Sequence, residues 1–118
     1  MTDVAYKLVD CAEWEAARAG GAYEGSAVDL ADGYIHLSTG AQLAETARRH
    51  FAGREGLVLA TVDLAGAAEA VRWEPSRGGA LFPHLYAPLS TALVIDERRL
   101  SVDAEGVMRF EDGAVGWP

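Results

Sequence analysis

Cysteine is almost missing from this sequence. Cys11 is the only one, so neither an intramolecular disulfide nor a cysteine-based zinc cluster can form. Long uninterrupted apolar runs are missing too, which excludes a membrane-spanning helix. The opening stretch MTDVAYKLVD lacks the basic start and apolar core of a signal peptide, so the chain is expected to stay in the cytoplasm. Basic residues are scarce: 10 Lys and Arg stand against 18 Asp and Glu, for a formal charge of −8. That balance opposes tight binding to nucleic acid, which needs a net basic face, and suits a small-molecule partner better. Arg72 and Arg77 keep a local basic pocket open. Repeats, low-complexity tracts and dividing linkers are also absent.

What is present fits one domain. The 118 residues are half apolar, enough for a real core and too few for two. Val4 to Val9 reads as a first strand. Asp10 and Glu13 form a capping box for a helix through Ala19, which Gly20-Gly21 ends. A turn at Asp32-Gly33 leads to a strand at Tyr34 to Leu37. Thr39 and Gln42 cap a second helix carrying Leu43, Ala47, His50 and Phe51 on one face, with Gly53 at its end. On that face His50 reads as a core or boundary residue.

Leu57 to Leu64 is apolar on both faces and reads as a central strand. A short strand at Val71 to Trp73, an irregular stretch from Pro75 to Pro83 and a strand at Ala92 to Ile95 follow. The charged run Asp96 to Arg99 reads as a solvated turn. Arg98 to Val102 and Val107 to Phe110 form a hairpin. The expectation is a single α+β domain over residues 1–110, with two early helices and a strand-rich second half. Residues 111–118 form a loosely held tail that Trp117 could pin.

Two segments could carry chemistry. In Asp32 to Thr39, strand alternation puts Tyr34, His36 and Ser38 on one face. The helix that follows would bring free N–H groups near His36 and Ser38, a setting for a phosphate or carboxylate. Thr39 and Gln42 are explained by capping alone. A polar ring in a short strand needs a partner, which singles out His36. In Arg72 to Tyr86, Ser76 and Arg77 could hold an anion. Glu74 and His84 could act as acid or base, and Trp73, Phe82 and Tyr86 offer flat surfaces for a ring. The plainer alternative is a turn whose aromatics close the core. Two histidines with Glu74 or Asp32 contain the ligand types of a metal site, but no pair has helical ligand spacing, so no metal is expected. Cys11, beside Ala12, reads as packing.

From about Tyr6 to about Val94 the chain resembles a bacterial family of small proteins known as domain of unknown function 952. The resemblance rests on Tyr6-Lys7, Trp14, Asp32 to Thr39, Gln42, Trp73-Glu74, Ser76 to Gly79 and Phe82 to Tyr86. More distantly, the family is similar in fold to ADP-ribosyltransferases, which cleave NAD in a cleft of a split, strand-rich α+β fold. Ile35 to Ser38 is similar to a His-Leu-Ser segment of RNA 2′-phosphotransferases in that group. This resemblance implies NAD as a substrate, His36, Glu74 and His84 as catalytic residues, and Lys7, Ser38, Trp73, Ser76, Arg77, Phe82 and Tyr86 as ligand-binding ones. The chain departs from that pattern in offering Tyr6-Lys7 where such enzymes commonly place a His or Arg. It also lacks their late-strand Glu. The alternatives are a non-catalytic module for a small anionic metabolite or nucleotide, and a scaffold whose histidines only organise the fold. Nothing in the pattern bears on oligomeric state.

Overall fold

The computed structural model describes residues 3–118, and of Arg77 the backbone alone. Val4–Asp10 forms β1. Asp10 then turns the chain into helix α1 (Cys11–Gly20) by accepting the N–H groups of Ala12 and Glu13, and Gly21 ends the helix at φ 87°, a conformation open to glycine at little cost. β2 (Ala22–Tyr23) follows. Next comes a short helix, α2 (Ala27–Asp32), closed by a reciprocal capping box between Ser26 and Asp29. β3 (Ile35–His36) leads into α3 (Gly40–His50), which opens with the expected Thr39–Gln42 box.

The second half is strand-rich, as expected. It comprises β4 (Leu57–Asp63), β5 (Val71–Pro75), β6 (Leu81–Leu85), β7 (Leu89–Ser90), β8 (Val94–Val102) and β9 (Met108–Phe110). The fold is α+β. Among the described residues no helix is long and apolar enough to cross a membrane.

Several local expectations are corrected. Among the described residues there are three early helices, not two, because α2 intervenes before β3. Its Val28 and Leu30 are 63% and 65% exposed, so it has no apolar stripe for the pattern to show. The stretch Pro75 to Pro83 is not irregular throughout, since β6 begins at Leu81 and includes Pro83. Pro83 turns its main chain toward the end of the β3 pairing, where its carbonyl accepts the Leu37 N–H at 3.1 Å and only the return hydrogen bond is forgone. The separate strands at Ala92 to Ile95 and Arg98 to Val102 are one strand, β8, after a 3-10 turn at Thr91–Leu93. Asp96 to Arg99 therefore lies in a strand. Its charges pair across the surface, Glu97 with Arg18 at 3.3 Å and Arg99 with Glu15 at 3.1 Å. Helix α3 stops at His50 with Phe51 as its cap, before Gly53, and His50 is exposed at that last position rather than buried.

The strands form a four-stranded sheet in the order β1-β4-β8-β9, a three-stranded sheet β3-β6-β5 and the pair β2-β7. β4 is central, as its two apolar faces required. Cores lie on both sides of the larger sheet. One gathers Trp14, Ala17, Ile35 and Leu85 around Ala5 and Val58; the other packs Leu43 and Ala47 of α3 on Leu8, Leu57 and Met108. On that second side Gly106, in the β8–β9 turn at φ 84°, sits directly against Arg48 of α3.

The tail is tied to the domain. Gly116 N–H donates to the Met108 carbonyl and Trp117 Nε1 to the Gly40 carbonyl at 2.8 Å, while the Trp117 ring meets Tyr6 edge-on at 5.1 Å. Replacing Trp117 by Ala removes one hydrogen bond and the aromatic contacts with Tyr6 and Phe110, an expected loss of about 2–3 kcal/mol that urea denaturation would measure.

Candidate functional site

The two larger sheets meet at one point. Tyr6 and Ser38 exchange both main-chain hydrogen bonds, at 2.8 and 3.0 Å. One residue pair further along, the strands part, because Asp29 of α2 stands between them. Its Oδ1 accepts the His36 backbone N–H at 3.1 Å and lies 2.6 Å from His36 Nδ1. Oδ2 accepts the Ser26 N–H at 2.9 Å and sits 3.0 Å from Lys7 Nζ. Asp29 is 2% exposed and Lys7 8%, so the pair is shielded from water.

Burial by itself raises the pKa of Asp29. The His36 hydrogen bond, the Lys7 charge and the Ser26 and His36 amides outweigh it and hold the carboxyl far below the ordinary carboxylate range. Burial pushes Lys7 down, against the pull of Asp29 and Glu13. On its far side His36 Nε2 lies 3.0 Å from Asp32 Oδ2. Each ring nitrogen thus faces a carboxylate oxygen.

The second half of the site comes from the β3-β6-β5 sheet. His36 is paired directly with His84, and His84 with Arg72, so all three share one face. His84 Nδ1 is 2.7 Å from Glu74 Oε1, which also accepts the Tyr86 hydroxyl at 2.7 Å. These two hydrogen bonds lower the Glu74 pKa, and the same carboxylate raises that of Tyr86. Tyr34 stacks on His84 at 4.1 Å and also contacts His36 and Tyr86. Arg72 lies over the Tyr86 ring at 4.8 Å. The His36 and His84 rings are 5.5 Å apart, edge to face. Among the described contacts, the His84 ring bonds through Nδ1 alone, so Nε2 is the atom through which it can address a ligand.

A cavity of about 600 Å³ opens where the strands part, lined by Lys7, Asp29, His36, Ser38, Phe82 and His84 among others. The three expected catalytic residues, His36, Glu74 and His84, are therefore brought together, with Lys7 and Phe82 beside them. Ser76 reaches the rim of the same cavity. Ser38 also faces it, but its hydroxyl is paired with Thr46 of α3 at 2.8 Å. Together with the Thr39–Gln42 box, this pairing occupies groups expected to meet an anion at the start of α3. Tyr86 lies on a smaller neighbouring hollow with Tyr34. Trp73 is not part of the cluster: its register partner is Pro83, so it points to the other face of the sheet and is 49% exposed. The Arg77 side chain lies outside the described residues. Among the described residues no group of three or more His, Cys, Asp or Glu is arranged to hold a metal ion.

Sequence reasoning missed Asp29, the most connected residue of the site. The available signal was the spacing Ser26-x-x-Asp29, which has the form of a capping box. Tyr34, placed beside His36 by alternation but given no role, stacks on His84 and meets His36 at a tilt.

Solved structures support the architecture. The crystal structure of protein CC0527 from Caulobacter crescentus is 53% identical and superposes with a TM-score of 0.85, covering 90% of this chain and 93% of that one. The solution structure of CC0527 is 52% identical, with a TM-score of 0.78 and coverage of 89% and 90%. No curated protein matches the chain. A family model described as a protein of unknown function, DUF952, matches residues 8–97; the chain belongs to that family.

Proposed function

We propose that the cavity binds NAD or ADP-ribose, in the manner of an ADP-ribosyltransferase-like protein. The observation that carries this reading is the pairing of His36 and His84 across adjacent strands, each ring backed by a carboxylate, on the wall of one shared cavity. Its volume falls within the range of cofactor pockets. Lys7 lines the cavity beside its partner Asp29 and Phe82 offers an apolar surface, while His84 Nε2 is placed to meet a ribose hydroxyl. Glu74, held by His84 and Tyr86, is the carboxylate this reading assigns to positive charge developing on a ribose carbon.

One observation favours binding without turnover. Both His36 nitrogens and the Ser38 hydroxyl are already occupied by Asp29, Asp32 and Thr46. A nicotinamide-release assay separates the two versions.

Titrating NAD and ADP-ribose into isotopically labelled protein should shift the resonances of Lys7, His36 and His84. His84→Ala should weaken binding about tenfold, the loss of about one hydrogen bond. Unmoved resonances at millimolar ligand would sink the reading.

A further inference from the structure

We propose that the outer edge of β1 receives an extended peptide bearing a basic side chain, which adds as a strand along Leu8 and Asp10. This goes beyond the nucleotide reading and does not depend on it.

The register of the β1–β4 ladder decides which groups are available. Asp3 accepts from Leu64 at one end and Cys11 donates to Gly56 at the other. With the pairing Lys7↔Ala60 between them, Ala5, Lys7 and Val9 turn their main-chain groups toward β4. Tyr6, Leu8 and Asp10 turn theirs outward. Ser38 takes those of Tyr6. In an uninterrupted ladder Leu8 would next meet His36, but the His36 N–H is given to Asp29. Among the described residues, the N–H and C=O of Leu8 and the N–H of Asp10 therefore have no hydrogen-bond partner, and both residues line the cavity.

Unpaired strand edges of this kind recruit another extended chain. A small carboxamide could engage the donor and acceptor of Leu8. Only an extended main chain also reaches the Asp10 N–H, two residues and about 7 Å further on. The charge of the walls indicates which peptide. Asp10, Glu13, Asp29 and Asp32 line the cavity against the basic residues Lys7 and Arg54. Asp29 is paired with Lys7 and Asp32 with His36. The Glu13 carboxylate, in the first turn of α1 beside Asp10, has no ion pair among the described residues and is the natural partner for a lysine or arginine.

The test titrates the peptide acetyl-Val-Lys-Val-Lys-Val-amide into labelled protein and follows hydrogen exchange residue by residue. At saturation the Leu8 and Asp10 amides should exchange at least tenfold more slowly. Two versions, N-methylated on alternate residues in opposite registers, should differ at least tenfold in affinity, since only one register turns its N–H groups toward β1. The Val-Glu-Val-Glu-Val counterpart should bind more weakly, and Glu13→Gln should narrow that difference. The proposal is overturned if millimolar peptide leaves both amides unprotected, if both N-methylated versions bind alike, or if the acidic peptide binds as tightly. Protection of Leu8 by nicotinamide but not by the peptide would also overturn it. The nucleotide reading has its own reporters at His36 and His84, so the two ideas fail separately.

Discussion

Replacing Asp29 by Ala is expected to cost about 3–5 kcal/mol, a large part of the stability of a domain this size. The substitution leaves Lys7 buried without its counter-charge and strips the Ser26 and His36 amides of their acceptor. The cost is that of orphaned groups, so it should be recovered in part when the orphan is removed as well. Asp29→Asn combined with Lys7→Met should be more stable than the sum of the single changes allows, by a coupling of at least 1 kcal/mol in urea denaturation.

The same pair gives an acid signature. The carboxyl of Asp29 titrates lower in the folded protein than in the unfolded chain. Its contribution is therefore complete above the unfolded value of about 4 and is lost as pH falls from there toward the folded value. Between pH 7 and pH 3 the wild type should lose stability more steeply than Asp29→Asn. Parallel slopes would show that Asp29 is not the charged hub described above.

Gly106→Ala is expected to cost about 2–5 kcal/mol and to loosen α3 from the larger sheet. Two effects add. At φ 84° any Cβ is strained by about 1–2 kcal/mol. The new methyl would also stand 2.7 Å from the Arg48 backbone, and a helix backbone cannot move aside as a flexible side chain can, so overpacking adds about 1–3 kcal/mol. Gly113→Ala is the control. It has a similar positive φ of 98° with nothing near the added carbon, so it should show the strain alone. Equal urea midpoints for the two variants would refute the close approach.

Much of the scaffold was legible because its signals are local. Asp10 and Thr39 cap helices through neighbours two or three residues away, and β4 announces its central place by being apolar on both faces. The second helix escaped notice because Ala27 to Asp32 is too short for periodicity and its apolar residues face water. The long strand β8 was divided because Asp96 to Arg99 looks like a turn when its cross-strand partners are unknown. At the site, alternation placed Tyr34, His36 and Ser38 on one face. What it could not supply was the pairing of β3 with β6, which sets His36 opposite His84, or the reach of Asp29 back to Lys7. Trp73 shows the limit from the other side: it neighbours Glu74 in sequence, and for that reason points away from it.

In mechanical terms β1 and β3 are the two lips of a tear in one broad sheet, and the Tyr6–Ser38 bridge is its tip. A tear lengthens at its tip, so to extend this one the two Tyr6–Ser38 main-chain hydrogen bonds would have to break. Tyr6 is also the ring on which Trp117 leans. The tryptophan at the end of the chain thereby packs directly on one of the two residues that hold the tip.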